Sequence, residues 1–381
     1  MTRNATFSAS GSKRWLSCPG SVQLSQRIDF DEPLSQSKYE GKAAHWVLEQ
    51  KIKGKSPLMP CVAPNGITVT DDMHEHADEF IADILSVGAK VDPLFSEVRI
   101  HIDWLLPGQY GICDYRWYDF LTDTLYIWDY KYGHKAIDAV GNSQGVYYAL
   151  DQRCISSVKQ VVFTVIQPRA WHPDGPVRRW QFSRGVLMEW ADRFKKGFAD
   201  AHKIDAPLIV GEHCHYCPAR GLCPALYERI TELATVLDAP PSLTPEQVGQ
   251  RLLLLEELYS RASDAKTALH IQGLHFVRQG KPLPGFKLAP KQTKRQLTDE
   301  GKLIGIAPMF GVNPDTLYER KLKTLATLEK ILPKELVDMC TTKPEGQFAL
   351  VPDTDARTGF STMAESVFNT PVTMPAGARP L

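Results

Sequence analysis

At 381 residues the chain is long enough for a core of about 200–250 residues with a smaller region attached. It is 43% hydrophobic and 23% charged and has no apolar run near the ~18–20 residues of a membrane helix, which excludes a disordered chain and leaves no membrane partner to expect. Lys+Arg 44 balance Asp+Glu 44, so no global charge draws the protein to a polyanion, and any nucleic-acid surface must be local.

The opening MTRNATFSASGSKRW has no apolar stretch behind its basic residues, so the expected compartment is a reducing cytoplasm, where eight cysteines read as thiols or metal ligands rather than disulfides. Ser37 with Glu40 forms a capping-box pattern ahead of Ala44, Val47, Leu48 and Ile52 at helical spacing, predicting a helix over 38–53. Pro60, Pro64, Asn65 and Gly66 mark a loop, and Asp71-Asp72 opens a second helix to about residue 89. Three β-branched and aromatic stretches, 95–104, 111–120 and 124–131, then read as consecutive antiparallel strands. A helix over 143–153, strands over 159–167 and 177–182 and a helix over 185–202 complete the order expected of an α/β core with a mixed sheet flanked by helices. Pro240-Pro241 suggests a boundary, and Thr244-Pro245-Glu246 starts a long helix to about 279. The expected organisation is a core over 1–230, a mainly helical region over 231–340 and an irregular tail over 341–381. The phosphate-loop pattern G-x-x-x-x-G-K-[ST] is absent, which argues against an ATP-driven motor in this chain.

The chemistry concentrates in Gly111-Ile-Cys-Asp114 and Leu125-Tyr-Ile-Trp-Asp129-Tyr-Lys131. Neighbouring strands of a hairpin bring Asp114 toward Asp129, and the i, i+2 spacing puts Asp129 and Lys131 on one face of a strand. Paired carboxylates hold a hard divalent cation, and a lysine beside them acts on a water that attacks phosphorus, the set that metal-dependent phosphodiester hydrolysis needs. A bare D-x-K triplet is common, and its alternative reading is a turn residue beside a solvated lysine.

The order of the surrounding motifs narrows the choice: Gly41-Lys-Ala-Ala-His45, Asp114, Asp129-Tyr-Lys131 and Gln144-Gly-Val-Tyr-Tyr148. In this order the sequence resembles RecB-like exonucleases of the PD-(D/E)xK superfamily, whose motifs are G-x-x-x-H, an isolated Asp, (D/E)-x-K and Q-x-x-x-Y. The resemblance covers about residues 5–230 and extends to a phage- and prophage-associated branch. It implies a PD-(D/E)xK core, with His45, Asp114, Asp129 and the Tyr130 carbonyl as ligands of Mg²⁺ or Mn²⁺. It makes Lys131 catalytic beside Asp114 and Asp129, and turns Gln144 and Tyr148 toward DNA. The imidazole of His45 favours Mn²⁺ somewhat over Mg²⁺. Glu97 either adds an acid to the site or is an exposed strand residue, and Glu49 reads as solvated or as a support to the ligands.

A second constellation, Cys214-His-Tyr-Cys217-Pro-Ala-Arg-Gly-Leu-Cys223, groups three thiols, for which Cys18 is the best fourth. Four thiolates hold either tetrahedral Zn²⁺ or an iron–sulfur cluster, with His213 and His215 as alternative zinc ligands, and spacing leaves both open. The resemblance favours the cluster: RecB-like nucleases such as AddB and the CRISPR-adaptation nucleases carry one cysteine before the core and three after it, holding a [4Fe-4S] cluster that ties the two ends together.

Outside these sets, the basic run with Lys291, Lys294 and Arg295, and Arg178, Arg179 and Arg184 beside the core, are candidate phosphate contacts, each also readable as a solvated charge. Trp15, Trp46, Trp104, Trp117, Trp128 and Trp180 read as core rather than as base-stacking platforms. The expectation is a metal-dependent DNA exonuclease of phage-type recombination or repair, acting alone or beside a single-strand annealing or single-strand-binding protein. The competing class is a non-catalytic DNA-binding or recombination-assembly module that keeps the fold.

Overall fold

The computed structural model describes residues 6–28, 36–235, 244–286, 307–310 and 313. Its centre is a mixed five-stranded sheet in the order β1 (Ser96–His101), β2 (Tyr110–Asp119), β3 (Thr124–Tyr130), β4 (Gln160–Ile166), β5 (Val177–Ser183). Neighbours are antiparallel except β3 and β4, which run parallel with Tyr130 opposite Ile166. The chain is therefore an α/β protein whose sheet is covered by helices on both faces.

One face packs on α3 (Gln36–Ile52) and α4 (Asp71–Ser86), through Val47, Leu48, Phe80 and Ile84 against Tyr115, Trp128 and Tyr130. The other carries α1 (Ser12–Ser17), α5 (Ser143–Ala149) and α6 (Arg184–Ala201), where Trp15, Val146, Phe194 and Phe198 meet Leu125, Ile127, Phe163 and Val165. α2 (Gly20–Gln26) follows α1 directly, and its glycine is forced by packing, since a Cβ at Gly20 would lie 2.5 Å from the Ala206 carbonyl oxygen. α7 (Pro224–Thr235) and α8 (Pro245–Arg278) pack on each other.

The differences from the expected elements have local causes. The helix expected over 38–53 behind a Ser37 cap already includes Gln36, so Ser37 lies inside it. α4 is capped by Thr70, which accepts from the Met73 amide, and it stops at Ser86 ahead of Gly88 in the left-handed region at φ 79°. α5 ends four residues short of 153 because the Asp151 carboxylate accepts from the Arg153 amide and guanidinium and from Arg116, replacing helical bonds with a side-chain turn. α1, α2 and α7 were not foreseen.

Two compact units divide the chain, Met1–Leu288 and Ala289–Leu381. The long α8, expected in a region separate from the core, falls within the first. In the second, a single 3₁₀ turn, Ala307–Phe310, is described. The Pro240-Pro241 boundary, the basic run from Lys287 onward and the tail over 341–381 lie outside the described residues. No described helix is long and apolar enough to cross a membrane.

Candidate functional site

The site forms where the ladder between β2 and its two neighbours is interrupted. Cys113 lies on the α5 side of the sheet while Tyr115 and Trp117 pack on the α4 side, so the alternation of β2 slips at Asp114. Opposite it on β1, Glu97 adopts φ 51°, a left-handed conformation uncommon for any residue but glycine, asparagine or aspartate. Such irregularities re-aim side chains next to functional sites. Here Asp114 turns its carboxylate toward β3, where Oδ2 accepts from the Tyr130 amide at 2.7 Å.

Two groups of side chains meet at this break. In the first, His45 on α3 places Nδ1 3.6 Å from Asp114 Oδ1, and His45, Glu97 and Asp114 present ligand atoms that all lie within 4.8 Å of one another. The Tyr130 ring, 5.2 Å from the His45 imidazole between ring centres, backs that histidine. Much of Glu97 is open to solvent, yet its carboxyl is gathered with His45 and Asp114. Loss of solvent there, and next the Asp114 and Glu49 carboxylates, push its pKa up to about 7 against the pull of His45 and Lys53. Glu49 itself is ion-paired with Lys53.

In the second group, Lys131 Nζ donates to Asp129 Oδ1 at 3.0 Å and to Gln144 Oε1 at 3.1 Å, and the Gln144 amide donates to Asp129 Oδ1 at 3.0 Å and to the Tyr148 hydroxyl at 2.8 Å. The Asn142 cap of α5 accepts from the Gln144 and Gly145 amides, which fixes the helix that carries Gln144 and Tyr148. Asp129 is almost completely buried, and its Oδ2 receives no aligned hydrogen bond although the lysine nitrogen is 2.8 Å away. Burial raises the Asp129 carboxyl, offset by Lys131. Burial would lower the lysine, but Asp129 and then Asp114 outweigh it and hold Lys131 above its ordinary value, so it is an ammonium ion at neutral pH.

The described residues bring together His45, Glu97, Asp114, Asp129, Lys131, Gln144 and Tyr148 at one break in the sheet. The three arginines expected to face phosphate are engaged otherwise. Arg178 is buried and donates to the Ile137 and Gly175 carbonyls and to Gln167, Arg179 pairs with Asp83 on α4, and Arg184 donates to the Ile155 carbonyl. Lys291, Lys294 and Arg295 lie outside the described residues.

The four cysteines form a second site. Cys18, Cys214, Cys217 and Cys223 line one narrow cleft, although Cys18 precedes the others by some two hundred residues. The Ile209 amide donates to Cys18 Sγ at 3.3 Å and the Gly211 amide to Cys214 Sγ at 3.4 Å. Burial raises the thiols of Cys214, Cys217 and Cys223. Among the described residues, no three of these sulfurs lie within 4.8 Å of one another. A single zinc ion, with Zn–S near 2.3 Å, would draw them to about 3.8 Å. His215 is turned away to Asp264 on α8 at 2.7 Å, and His213 is hydrogen-bonded to the Ile209 carbonyl at 2.9 Å. All seven described cysteines are free of disulfides.

The sequence reading did not single out Trp171, which the fold leaves exposed; the one signal was its setting, Gln167-Pro-Arg-Ala-Trp-His-Pro173, an indole between two prolines with no apolar periodicity to bury it.

The fold and site define a class: α/β proteins with a mixed sheet that gathers an imidazole, three carboxylates and a lysine at a break between strands, beside a separate four-thiol pocket. The chain belongs to the DUF2800 family, described as a protein of unknown function, whose model matches residues 4–358.

Proposed function

We propose that this protein is a metal-dependent deoxyribonuclease of the RecB-like PD-(D/E)xK type that degrades DNA from its ends. The observation that carries the reading is the junction of the His45–Glu97–Asp114 donor set with the buried Asp129–Lys131–Gln144–Tyr148 chain at one break in the sheet. A structural ion pair alone would need neither the imidazole nor the extra carboxylates beside it.

The donors suit a hard divalent cation. They are oxygens and one imidazole, Asp129 Oδ2 is a buried acceptor without an aligned donor, and the loss of solvent and neighbouring carboxylates that raise Glu97 would be offset by positive charge. His45, Asp114 and Asp129, with Glu97 and the Tyr130 carbonyl, would hold Mg²⁺ or Mn²⁺. Such an ion, when bound, polarises the scissile phosphate and acidifies the attacking water. The protein's own groups do the rest. Lys131, kept protonated by Asp129 and Asp114, orients the water and stabilises charge developing on the phosphoryl oxygens; it is too basic to remove a proton itself. Gln144 holds Lys131 in place from α5, and Tyr148 anchors Gln144.

The four-thiol site is read as a [4Fe-4S] staple with a structural role, supported by the gathering of Cys18 with Cys214, Cys217 and Cys223 in one cleft. The proposed setting is phage-type recombination or repair in a bacterial cytoplasm, with a single-strand annealing or single-strand-binding protein receiving the exposed strand.

Linear and covalently closed circular DNA incubated with Mn²⁺ test the reading. Degradation of the linear form alone is expected. Nicking of the circle would make the enzyme an endonuclease, and binding of both without cleavage under either metal would favour a non-catalytic module.

A further inference from the structure

The loop after the catalytic strand, residues 131–142, is stitched to the loop after β4, residues 167–176. β3 and β4 are parallel, so both loops leave the sheet at the same end, where the Lys131 amide donates to the Ile166 carbonyl at 2.9 Å. Gln167 is the central tie. It is 1% exposed, its amide donates to the carbonyls of Gly133 and Lys135 at 2.9 and 2.8 Å, and its oxygen accepts from the Ile137 amide and from Arg178. His172 bonds Asp138 at 2.9 Å, and Arg169 bonds His134 at 2.7 Å while lying over the Tyr132 ring and pairing with Glu40 on α3. A polar network centred on a buried glutamine with all its partners supplied makes a rigid rim rather than a mobile lid.

This rigid rim presents an indole to solvent. Trp171 is 77% exposed, while Trp15 and Trp128 are fully buried, and Val140 on the facing loop is 70% exposed. Nothing in the core requires that indole, and the five residue steps from Ile166 keep it within about 18 Å of the strand end beside Lys131. Exposed aromatics on a fixed scaffold beside a phosphodiester site are what an unpaired base stacks upon.

We propose that Trp171 is a base-stacking residue, binding an unpaired nucleotide of the DNA strand that enters the site and so directing the enzyme to single-stranded or frayed ends. The inference rests on the nuclease reading above. Stacking uses the π-face that every base has, so the contact is indifferent to sequence, and it neutralises no phosphate.

The test is fluorescence anisotropy of a labelled oligodeoxythymidylate with the full-length protein in Ca²⁺, over a salt titration, alongside cleavage in Mn²⁺. Trp171→Ala is expected to weaken binding about tenfold, Trp171→Leu to weaken it equally, and Trp171→Phe to restore most of it. The slope of affinity against salt should stay that of wild type, because no charge is lost. Since the indole is exposed, all three variants should melt with wild type. If wild type binds and cleaves DNA while Trp171→Ala, or Trp171→Leu, binds as tightly, the stacking role is wrong and the nuclease reading stands. If wild type neither binds the oligonucleotide nor cleaves DNA, the nuclease reading itself fails and takes this inference with it.

Discussion

Glu97 shows at the scale of one residue what it costs in stability to hold a carboxyl out of water beside other acids. Its folded-state pKa near 7 lies above the ordinary 4.5, so between those values the folded protein holds more protons than the unfolded chain and loses stability as pH rises. Glu97→Gln should therefore stabilise the metal-free protein at pH 8, by about 1 kcal/mol after allowance for solvent screening, and change nothing at pH 4. The same variant should weaken Mn²⁺ binding and flatten its rise with pH, both readable from melting curves with and without metal. Lys131 is the opposite case. Lys131→Met leaves Asp129 buried without its counter-charge, with an expected loss of about 3 kcal/mol in urea denaturation, much of it recovered when Asp129→Asn is added. Asp129 and Lys131 were legible in the sequence because strand periodicity puts them on one face, and Asp114 because a hairpin neighbour brings it close to Asp129. Glu97 could be named only as one of two readings, since its position depends on a positive φ and on the slip of β2 opposite, neither of which has a sequence signal at a glutamate.

Among the elements, the short α5 links the sheet to the site. A Cβ at Gly145 would lie 2.5 Å from the Phe163 ring, so the helix lies on β4 at a separation only glycine permits. Gly145→Ala should push α5 outward, costing about 1–3 kcal/mol and lowering catalytic rate through Gln144 more than it lowers DNA affinity. The comparison of kcat with binding separates this from simple destabilisation. All five strands and the helices α3–α6 and α8 could be read from apolar periodicity and turn residues. The early end of α5 could not, because it depends on Arg116 meeting Asp151 from thirty-five residues away. α1 and α2 are too short to show periodicity, and α1 owes its place to Trp15 buried against Phe194 and Phe198.

For the whole molecule, the thiol site joins the start of the chain to the segment after α6, so its loading should be felt globally. Cys18→Ser is expected to abolish iron and sulfide incorporation and to lower Tm by ~5–10 °C in anaerobically purified protein. Because Cys214, Cys217 and Cys223 are raised by burial, metal uptake must displace protons and should weaken as pH falls. Sequence pattern grouped three of these cysteines and pointed to Cys18 as the fourth; what it did not show is the path by which the fold returns the Ala206–Gly211 segment to the end of α1.

The central claim is that the break between β2 and β3 is a phosphodiesterase centre. The most direct measurement is cleavage of end-labelled single- and double-stranded DNA in Mn²⁺ or Mg²⁺, comparing wild type with Asp129→Ala and Lys131→Ala at a temperature where all three are folded. Wild type is expected to cleave in a metal-dependent manner, and each variant to lose at least about 10²-fold in rate with DNA affinity retained. Equal cleavage by the variants, or a wild-type protein that binds DNA and cuts neither substrate, would contradict it.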